Sequence, residues 1–367
     1  MIRCFIEELR KIDSENSYYL YSDRDFDLPW EDERWRKRVS SPIPFLPGTL
    51  WLQIMGRRMI LRDQLDVFWG TNNMLPLGLP SGIAKILTIH DLLWPLYAEI
   101  AGPFHRCMHW LFVERSVRQA DRIIAISQST ARDLQHTWKL PESKIEVIPH
   151  GVASAYRPQD SRAAAEYVAK KYGVLKEYVL TVGTLGPHKN LITVIKAMKI
   201  LRGLGELPFQ LVAVGAQGGK NSRMLEAVRS SGLTREDIRF LGFVPEEDLP
   251  MLYSASSALV FPSLYEGFGL PLVEAMACGV PVVASNTSSI PEVVGDAALL
   301  APPTQPEAFA EAIMRVRSDT DLRKAMVQKG LNRAACFRWD KAASRLLECM
   351  RNVFGEKRSI CCARGAQ

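Results

Sequence analysis

An α/β chain of two domains, each a parallel sheet wrapped by helices, is the fold class predicted, on three observations. Short apolar runs alternate with segments of helical periodicity along most of the chain, the pattern that produces such sheets. At 367 residues the chain is longer than one ordinary core requires and suits two domains. A Pro149-His150-Gly151 break closes one apolar run near the middle and puts the boundary at 152, giving a first domain over 1–152 and a second over 153–338.

In chain order, Met1 to Ile12 reads as an amphipathic helix with Ile2, Phe5, Ile6, Leu9 and Ile12 on one face. Tyr18 to Ser22 is a strand, and the acidic run Asp23 to Asp27 a solvated turn. That run is not a calcium loop, because its sixth and twelfth positions would be Leu28 and Arg34. Glu31 to Ser41 reads as a charged connection, Pro42 to Gly48 as a proline-rich loop, and Leu50 to Leu65 as helix. Asp66 to Gly70 and Lys85 to His90 are buried strands, the second ending in His90-Asp91. Ligands of parallel α/β sheets lie beyond the carboxyl ends of strands, so His90 stands where chemistry happens.

His105 and His109 with Cys107 between them read as an ordinary helix face rather than a metal site, since Cys107 would point away from the pair. Asp121 to Ser127 is a strand, followed by a helix capped by Ser127 or Ser129. Lys144 to Val152 is a strand running into the break. Past it come a helical linker, Ser161 to Tyr172, and the strand Tyr178 to Gly183. The turn Thr184-Leu185-Gly186-Pro187-His188-Lys189-Asn190 then leads into a helix, Leu191 to Leu201. Strands Phe209 to Gly215 and Ile238 to Val244 follow, with a helix from Pro245 to Ser254 and a last periodic helix from Asp340 to Val353. No internal repeat is evident, and the missing GxGxxG gives a nicotinamide dinucleotide fold little support.

Composition narrows the function. With 47% hydrophobic and 23% charged residues the chain is globular. A net charge of +6 permits an anionic ligand or membrane surface but falls short of a nucleic-acid footprint. Seven scattered cysteines suggest reduced thiols in a cytoplasmic protein, with no ordered role for Cys361-Cys362 in the basic tail. The chain shows neither a bilayer-length apolar run nor a secretion-type start, so the expectation is a soluble or peripheral protein.

The most informative stretch is Glu266-Gly267-Phe268-Gly269-Leu270-Pro271-Leu272-Val273-Glu274, held between strand-like runs at Ser257 to Ser263 and Gly279 to Ser285. Pro271 suits a first helical turn and Gly279 the position past its end, giving a helix of about two turns. Glycines let amides approach a ligand, and a helix start favours anions. Glu266 in the loop and Glu274 in the helix then grip two polar parts of one molecule, such as sugar hydroxyls beside phosphate. Either glutamate alone would be ordinary surface charge. Lys189 at its glycine-containing turn can neutralise phosphate, although alone it too would be a surface lysine.

Taken together these residues resemble the retaining, two-domain glycosyltransferases of family 4. The resemblance runs from about Met1 to Val353 and is strongest from Val179 to Leu300. It rests on Gly183 to Asn190, on Phe240-Leu241-Gly242-Phe243-Val244-Pro245, and on Glu266 to Glu274 with the following Ala275 to Ser285. It implies the GT-B fold, two facing Rossmann-like domains with the active site in the cleft between them, a helix at 339–356 crossing back to the first domain, and a tail at 357–367. By the same resemblance Lys189 contacts the donor diphosphate, Glu274 holds the ribose, and Glu266 lies near the donor sugar. Gly267, Phe268 and Gly269 line sugar and phosphate, Phe243 and Val244 flank the base, and Gly183, Thr184 and Leu270 complete the donor site. His90 is implied beside the transferring carbon.

The implied chemistry is retention of anomeric configuration with no metal and no cofactor, the nucleotide sugar being a substrate, GDP-mannose or a UDP-hexose. Two departures stand out. Thr184 occupies a position where many relatives carry arginine, leaving His188 or Arg223 as substitutes. Relatives also begin with a strand and glycine-rich loop ahead of the helix that here starts near Met1, so the chain reads as short by that element, with an exposed sheet edge as a consequence. The function expected is hexose transfer, foremost mannose, to a glycan or lipid-linked acceptor in cell-surface polysaccharide synthesis. Nucleotide-sugar binding without turnover is the alternative, and a sugar-nucleotide epimerase a third reading. Nucleic acid is not an expected partner. Basic residues Arg34, Arg36, Lys37, Arg38, Arg57 and Arg58 leave peripheral contact with the inner face of the membrane open.

Overall fold

The computed structural model describes residues 1–30, 32–40, 48–93, 110–205, 208–216 and 222–365. They form two compact units, Met1–Pro149 with Trp339–Gln367, and His150–Arg338.

The first unit opens with a helix, Ile2–Ile12, that buries Phe5 and Leu9. Strand β1, Tyr18–Ser22, pairs in parallel with β2, Trp35–Val39. The charged connection expected at Glu31 to Ser41 is thus corrected: its middle, Trp35–Val39, is β2. Only Trp35 of this strand is buried, and two of its charges are paired, Arg38 with Asp63 and Lys37 with Asp25, both at 3.0 Å. Charge on an outer strand hides the alternation that marks inner ones and guards the edge against pairing. The helix read at Leu50 to Leu65 spans Gly48–Trp51 and Arg57–Asp63, joined by a wider π turn at Leu52–Gly56.

Strands β3 (Val67–Gly70), β4 (Ala84–Ile89), β5 (Arg122–Ala125) and β6 (Ile145–Val147) make a four-stranded parallel sheet in that order. All six residues of β4 are buried, as a central strand covered on both faces demands. The helix after β5 is capped by Ser127, whose hydroxyl accepts from the Thr130 amide at 3.0 Å. The final helix, Trp339–Gly365, continues past Val353, so the helical part extends well into the tail expected at 357–367. Trp339 meets Phe5 edge-on at 5.1 Å. Residues 42–47, the His105, Cys107 and His109 face, and the side chains of Arg223, Cys361 and Cys362 lie outside the described residues.

The second unit is one six-stranded parallel sheet, β7 (Tyr178–Val182), β8 (Gln210–Val214), β9 (Ile238–Gly242), β10 (Ala258–Phe261), β11 (Val282–Ser285) and β12 (Ala298–Ala301), ordered β12-β11-β10-β7-β8-β9. Strand order reverses between β7 and β10, the position where open α/β sheets leave a crevice at the strand ends. Helices Leu191–Gly203 and Pro306–Ser318 supply the buried apolar layer on one face, with Val194, Ile195, Met198, Phe309 and Ile313 at its centre. Among the described residues no helix is long and apolar enough to cross a membrane.

Candidate active site

Backbone contact at the ends of β7 and β8 sets the first half of the site. Gly183 and Gly215 have φ of +139° and +141°, and a Cβ on Gly215 would stand 2.0 Å from the Gly183 carbonyl oxygen. Only glycine tolerates that approach. The chain then makes a tight turn, Pro187–Lys189, and Asn190 adopts the left-handed conformation at φ +53°. The Asn190 side-chain amide donates to the Pro262 carbonyl at 3.0 Å and the Pro303 carbonyl at 2.7 Å, while Leu264 N–H donates to the His188 carbonyl at 2.7 Å. These bonds tie the turn after β7 to the loops after β10 and β12.

Lys189 is thereby delivered to Glu266. Lys189 Nζ lies 2.5 Å from Glu266 Oε1 and 5.3 Å from the centre of the Phe261 ring. The lysine side chain is 20% exposed and the glutamate 11%, so water screens the pair poorly and leaves an uncommon concentration of charge at the sheet's carboxyl edge. Ser288 Oγ accepts from the Glu266 amide at 2.9 Å, and Ser289 Oγ donates to the carbonyls of Glu266 at 3.0 Å and Phe268 at 3.1 Å. The loop is therefore fixed from behind by the turn after β11.

Gly269, at φ +93°, turns the chain into the helix Leu270–Ala277, with Pro271 in its first turn. Glu274 comes five residues beyond this start, roughly 7 Å along the axis. Its Oε2 accepts from the Tyr253 hydroxyl at 2.8 Å, and Tyr156 bonds it as well. Burial, with the nearby Glu246 charge adding to it, pushes the Glu274 carboxyl up to about 7.

The structure thus joins Lys189 directly to Glu266 and sets Glu274 in the helix that leaves the same loop. Thr184 is exposed beside them and Leu270 partly so. Phe243 is 81% exposed, a large ring left in solvent. Val244 and Phe268 are different: they are 5% and 4% exposed, and Phe268 packs edge-on against His150 at 5.5 Å and Phe337 at 5.4 Å. Their side chains belong to the core, leaving only their backbone for a ligand. In the first unit His90 follows β4. Its amide is held by Asn73 Oδ1 at 2.8 Å and its Nε2 lies 2.8 Å from the Thr71 carbonyl. A carbonyl only accepts, so Nε2 carries the proton. Burial lowers the His90 pKa, against the Thr71 bond and the Asp91 charge, which keeps the ring neutral.

Sequence reasoning passed over Tyr253, Tyr156, Phe261, Ser288 and Ser289. The tyrosines gave no signal, lying in a helix and a loop remote in sequence from Glu274. The serines did give one: Thr287-Ser288-Ser289 lies one residue past β11, where a strand-to-helix turn gathers hydroxyls.

Two α/β units of parallel sheet, the second carrying paired charges and a helix start at its carboxyl edge, define a GT-B glycosyltransferase. Residues 13–156 match the family described as Glycosyltransferase Family 4, and residues 169–333 the family described as Glycosyl transferases group 1. The chain is 32% identical over 293 residues to O-antigen chain mannosyltransferase B of Escherichia coli, an alignment covering 78% of this chain and 74% of that one. It belongs to this glycosyltransferase family. Against the longer serotype-specific mannosyltransferases WbdA of the same organism it is 30–31% identical and spans 28% of their length. Sucrose-phosphate synthase from Thermosynechococcus elongatus has the same fold, with a TM-score of 0.77 at 22% identity, covering 97% of this chain and 93% of that one. Anabaena HepE, solved with UDP-glucose, superposes with a TM-score of 0.69 at 20% identity over 86% of each chain.

Proposed function

We propose that the chain transfers a hexose, mannose from GDP-mannose in the first instance, to a glycan or lipid-linked saccharide during cell-surface polysaccharide synthesis. The reaction retains anomeric configuration and needs neither metal nor cofactor. The observation that carries this reading is the 2.5 Å pair of Lys189 and Glu266 at the carboxyl edge of β7 and β10, beside the helix start at Gly269. The mannosyltransferase relative in O-antigen chain synthesis supports the donor and the process, and the UDP-glucose complex of HepE supports the substrate class. A UDP-hexose fits the same residues.

In this reading the bond from the anomeric carbon to the diphosphate breaks and its electron pair leaves with the phosphate oxygen. The acceptor oxygen bonds that carbon from the same face, and its proton passes to the departing phosphate. Lys189 and the amides at Gly267 to Leu270 offset the charge gathering on the diphosphate, which is where preorganised electrostatics contributes most. Glu266 orients Lys189 and faces the sugar, Glu274 accepts from the ribose hydroxyls, and Phe243 stacks on the base. Neutral His90 is proposed as the first unit's catalytic residue, bonding a sugar hydroxyl. Work at the cytoplasmic face of a membrane fits an acceptor anchored in lipid.

The test is incubation of the purified chain with GDP-mannose or UDP-glucose and a lipid-linked saccharide acceptor, with the product's anomeric configuration read by NMR. Transfer from GDP-mannose with an α-linked product supports the proposal. Donor binding without turnover under every condition would replace it with a binding protein, and donor conversion without acceptor would replace it with an epimerase.

A further inference from the structure

The Tyr253 hydroxyl donates to Glu274 Oε2 at 2.8 Å, and the structure around it holds that hydroxyl in place from several sides. Tyr253 is fully buried at the end of the helix Leu249–Ser254. Its own carbonyl accepts from the Ser256 amide at 2.9 Å and from the Ser256 hydroxyl at 2.7 Å. One residue earlier, the Leu252 carbonyl accepts from the buried Tyr178 hydroxyl at 2.7 Å. The last carbonyls of a helix have no partner within it, so these bonds fix the end that carries Tyr253.

The start of the same helix is fixed as well. Asp248, buried just ahead of it, accepts from the Tyr167 and Tyr172 hydroxyls and pairs with Lys171 Nζ at 2.6 Å, which ties it to the helix Ser161–Tyr172. Tyr156 is buried too; it packs edge-on against Tyr253 with ring centres 6.0 Å apart and also bonds Glu274. A tyrosine in such a place fills the core with its ring, but the core has no need of the hydroxyl. Phenylalanine would fill the same space and leave no polar atom to satisfy.

We propose that Tyr253, seconded by Tyr156, is a positioning residue: it turns the Glu274 carboxylate so that its open lone pairs meet both hydroxyls of a ribose, which makes the site selective for ribonucleotides over deoxyribonucleotides. This role presupposes the one proposed above for Glu274 and adds to it a cause and a consequence. An ionised carboxylate has about four acceptor positions on its two oxygens. Two are filled from within the protein by the tyrosines, and Glu274 keeps part of its surface open, which leaves about two for a ligand. A ribose brings two neighbouring hydroxyls. Without the tyrosines the carboxylate would turn broadly about its last bond, whereas a hydroxyl held at both ends of its helix removes that freedom before the ligand arrives.

Calorimetric titration tests this with GDP, 2′-deoxy-GDP and 2′,3′-dideoxy-GDP, and with the same forms of UDP, against wild type, Tyr253→Phe and Tyr156→Phe. Wild type should bind the ribonucleotide about 10- to 100-fold more tightly than the dideoxy form, the effect of hydrogen bonds to a charged group. Tyr253→Phe should weaken the ribonucleotide about tenfold and leave the dideoxy form within about twofold, so that the preference collapses. Tyr156→Phe should do the same to a smaller degree, and it carries the comparison alone should Tyr253→Phe fail to melt as a folded protein. A structural defect would weaken every form alike; that result, or a preference unchanged in both variants, would overturn the role. Diphosphate binding in wild type that ignores the ribose hydroxyls would overturn this role and the one given to Glu274 while leaving hexosyl transfer standing. Failure of both GDP and UDP to bind would overturn the donor site itself, and this role with it.

Discussion

Glu274→Gln offers a direct reading of the site's energetics. A free glutamate titrates near 4.5, whereas Glu274 in the folded chain is pushed up to about 7. Between those values the folded protein keeps a proton that the unfolded chain has released, so stability falls as pH rises through that window. The difference, 7 minus 4.5, corresponds to about 3 kcal/mol as an upper bound, which relaxation of Tyr253 and Tyr156 around the charge will reduce. Glutamine keeps the shape and an acceptor for one hydroxyl but does not titrate. The substitution should therefore stabilise the ligand-free protein by about 1–3 kcal/mol at pH 8 and by almost nothing at pH 4.5. For a unit of this size that means a rise in Tm of roughly 2–10 °C at the higher pH. Donor affinity should move the other way: ribose hydroxyls donate best to the ionised carboxylate, so wild-type binding weakens as pH falls below 7 and the glutamine variant binds poorly throughout. The assay is thermal and urea unfolding at pH 4.5, 6, 7 and 8, with GDP-mannose titration by calorimetry. A variant less stable than wild type at pH 8, or a stability difference that ignores pH, would refute the reasoning.

Lys189→Ala should lower turnover by about one to three orders of magnitude, the effect of losing one transition-state contact, with wild-type rates refuting the role. It should also destabilise the fold, because Glu266 keeps a poorly hydrated charge without its cation; adding Glu266→Gln should recover the urea midpoint but not the rate. Gly215→Ala puts a methyl 2.0 Å from the Gly183 carbonyl oxygen and should cost more than about 3 kcal/mol in the second unit, measured by circular dichroism melting. Phe5→Ala should cost about 3–5 kcal/mol, since Phe5 is 3% exposed and meets both Trp69 and Trp339 edge-on; a loss below 1 kcal/mol would mean that the helix is poorly docked.

Inner strands were legible because their covering is symmetrical. Ala84–Ile89 and Gln210–Val214 are buried along their whole length, so their composition alone gives them away. Strand β2 was not legible, because Trp35 is its one buried residue and the others answer to solvent and to Tyr19, Asp25 and Asp63. The Glu266 loop was legible through glycine and proline placement, which is local. Which side chains face a ligand was legible only in part: Phe243 and Phe268 are the same residue type in similar glycine-flanked turns, yet one is 81% exposed and the other 4%. That difference arises from His150 and Phe337, which close over Phe268 from remote parts of the chain. Tyr253 and Tyr156 escaped notice for the same reason, as neither stands near Glu274 in sequence.

The residues assigned to catalysis and donor binding coincide with places where the chain departs from what stability alone would select. Glu274 holds a carboxyl where water is scarce, Lys189 and Glu266 hold a charge pair that an apolar pair could replace at no loss of stability, and Gly183 and Gly215 spend backbone freedom to bring two strand ends together. Each departure has its own compensation in Tyr253, in Phe261, and in the bonds from Asn190 to Pro262 and Pro303. Such local exceptions gathered on one sheet edge are expected of a functional site rather than of a core. The same arrangement is what the proposed function requires for a diphosphate. Under the proposed function a ligand with negative charge gives Lys189 a second partner and adds anionic acceptors for the amides at the Gly269 helix start.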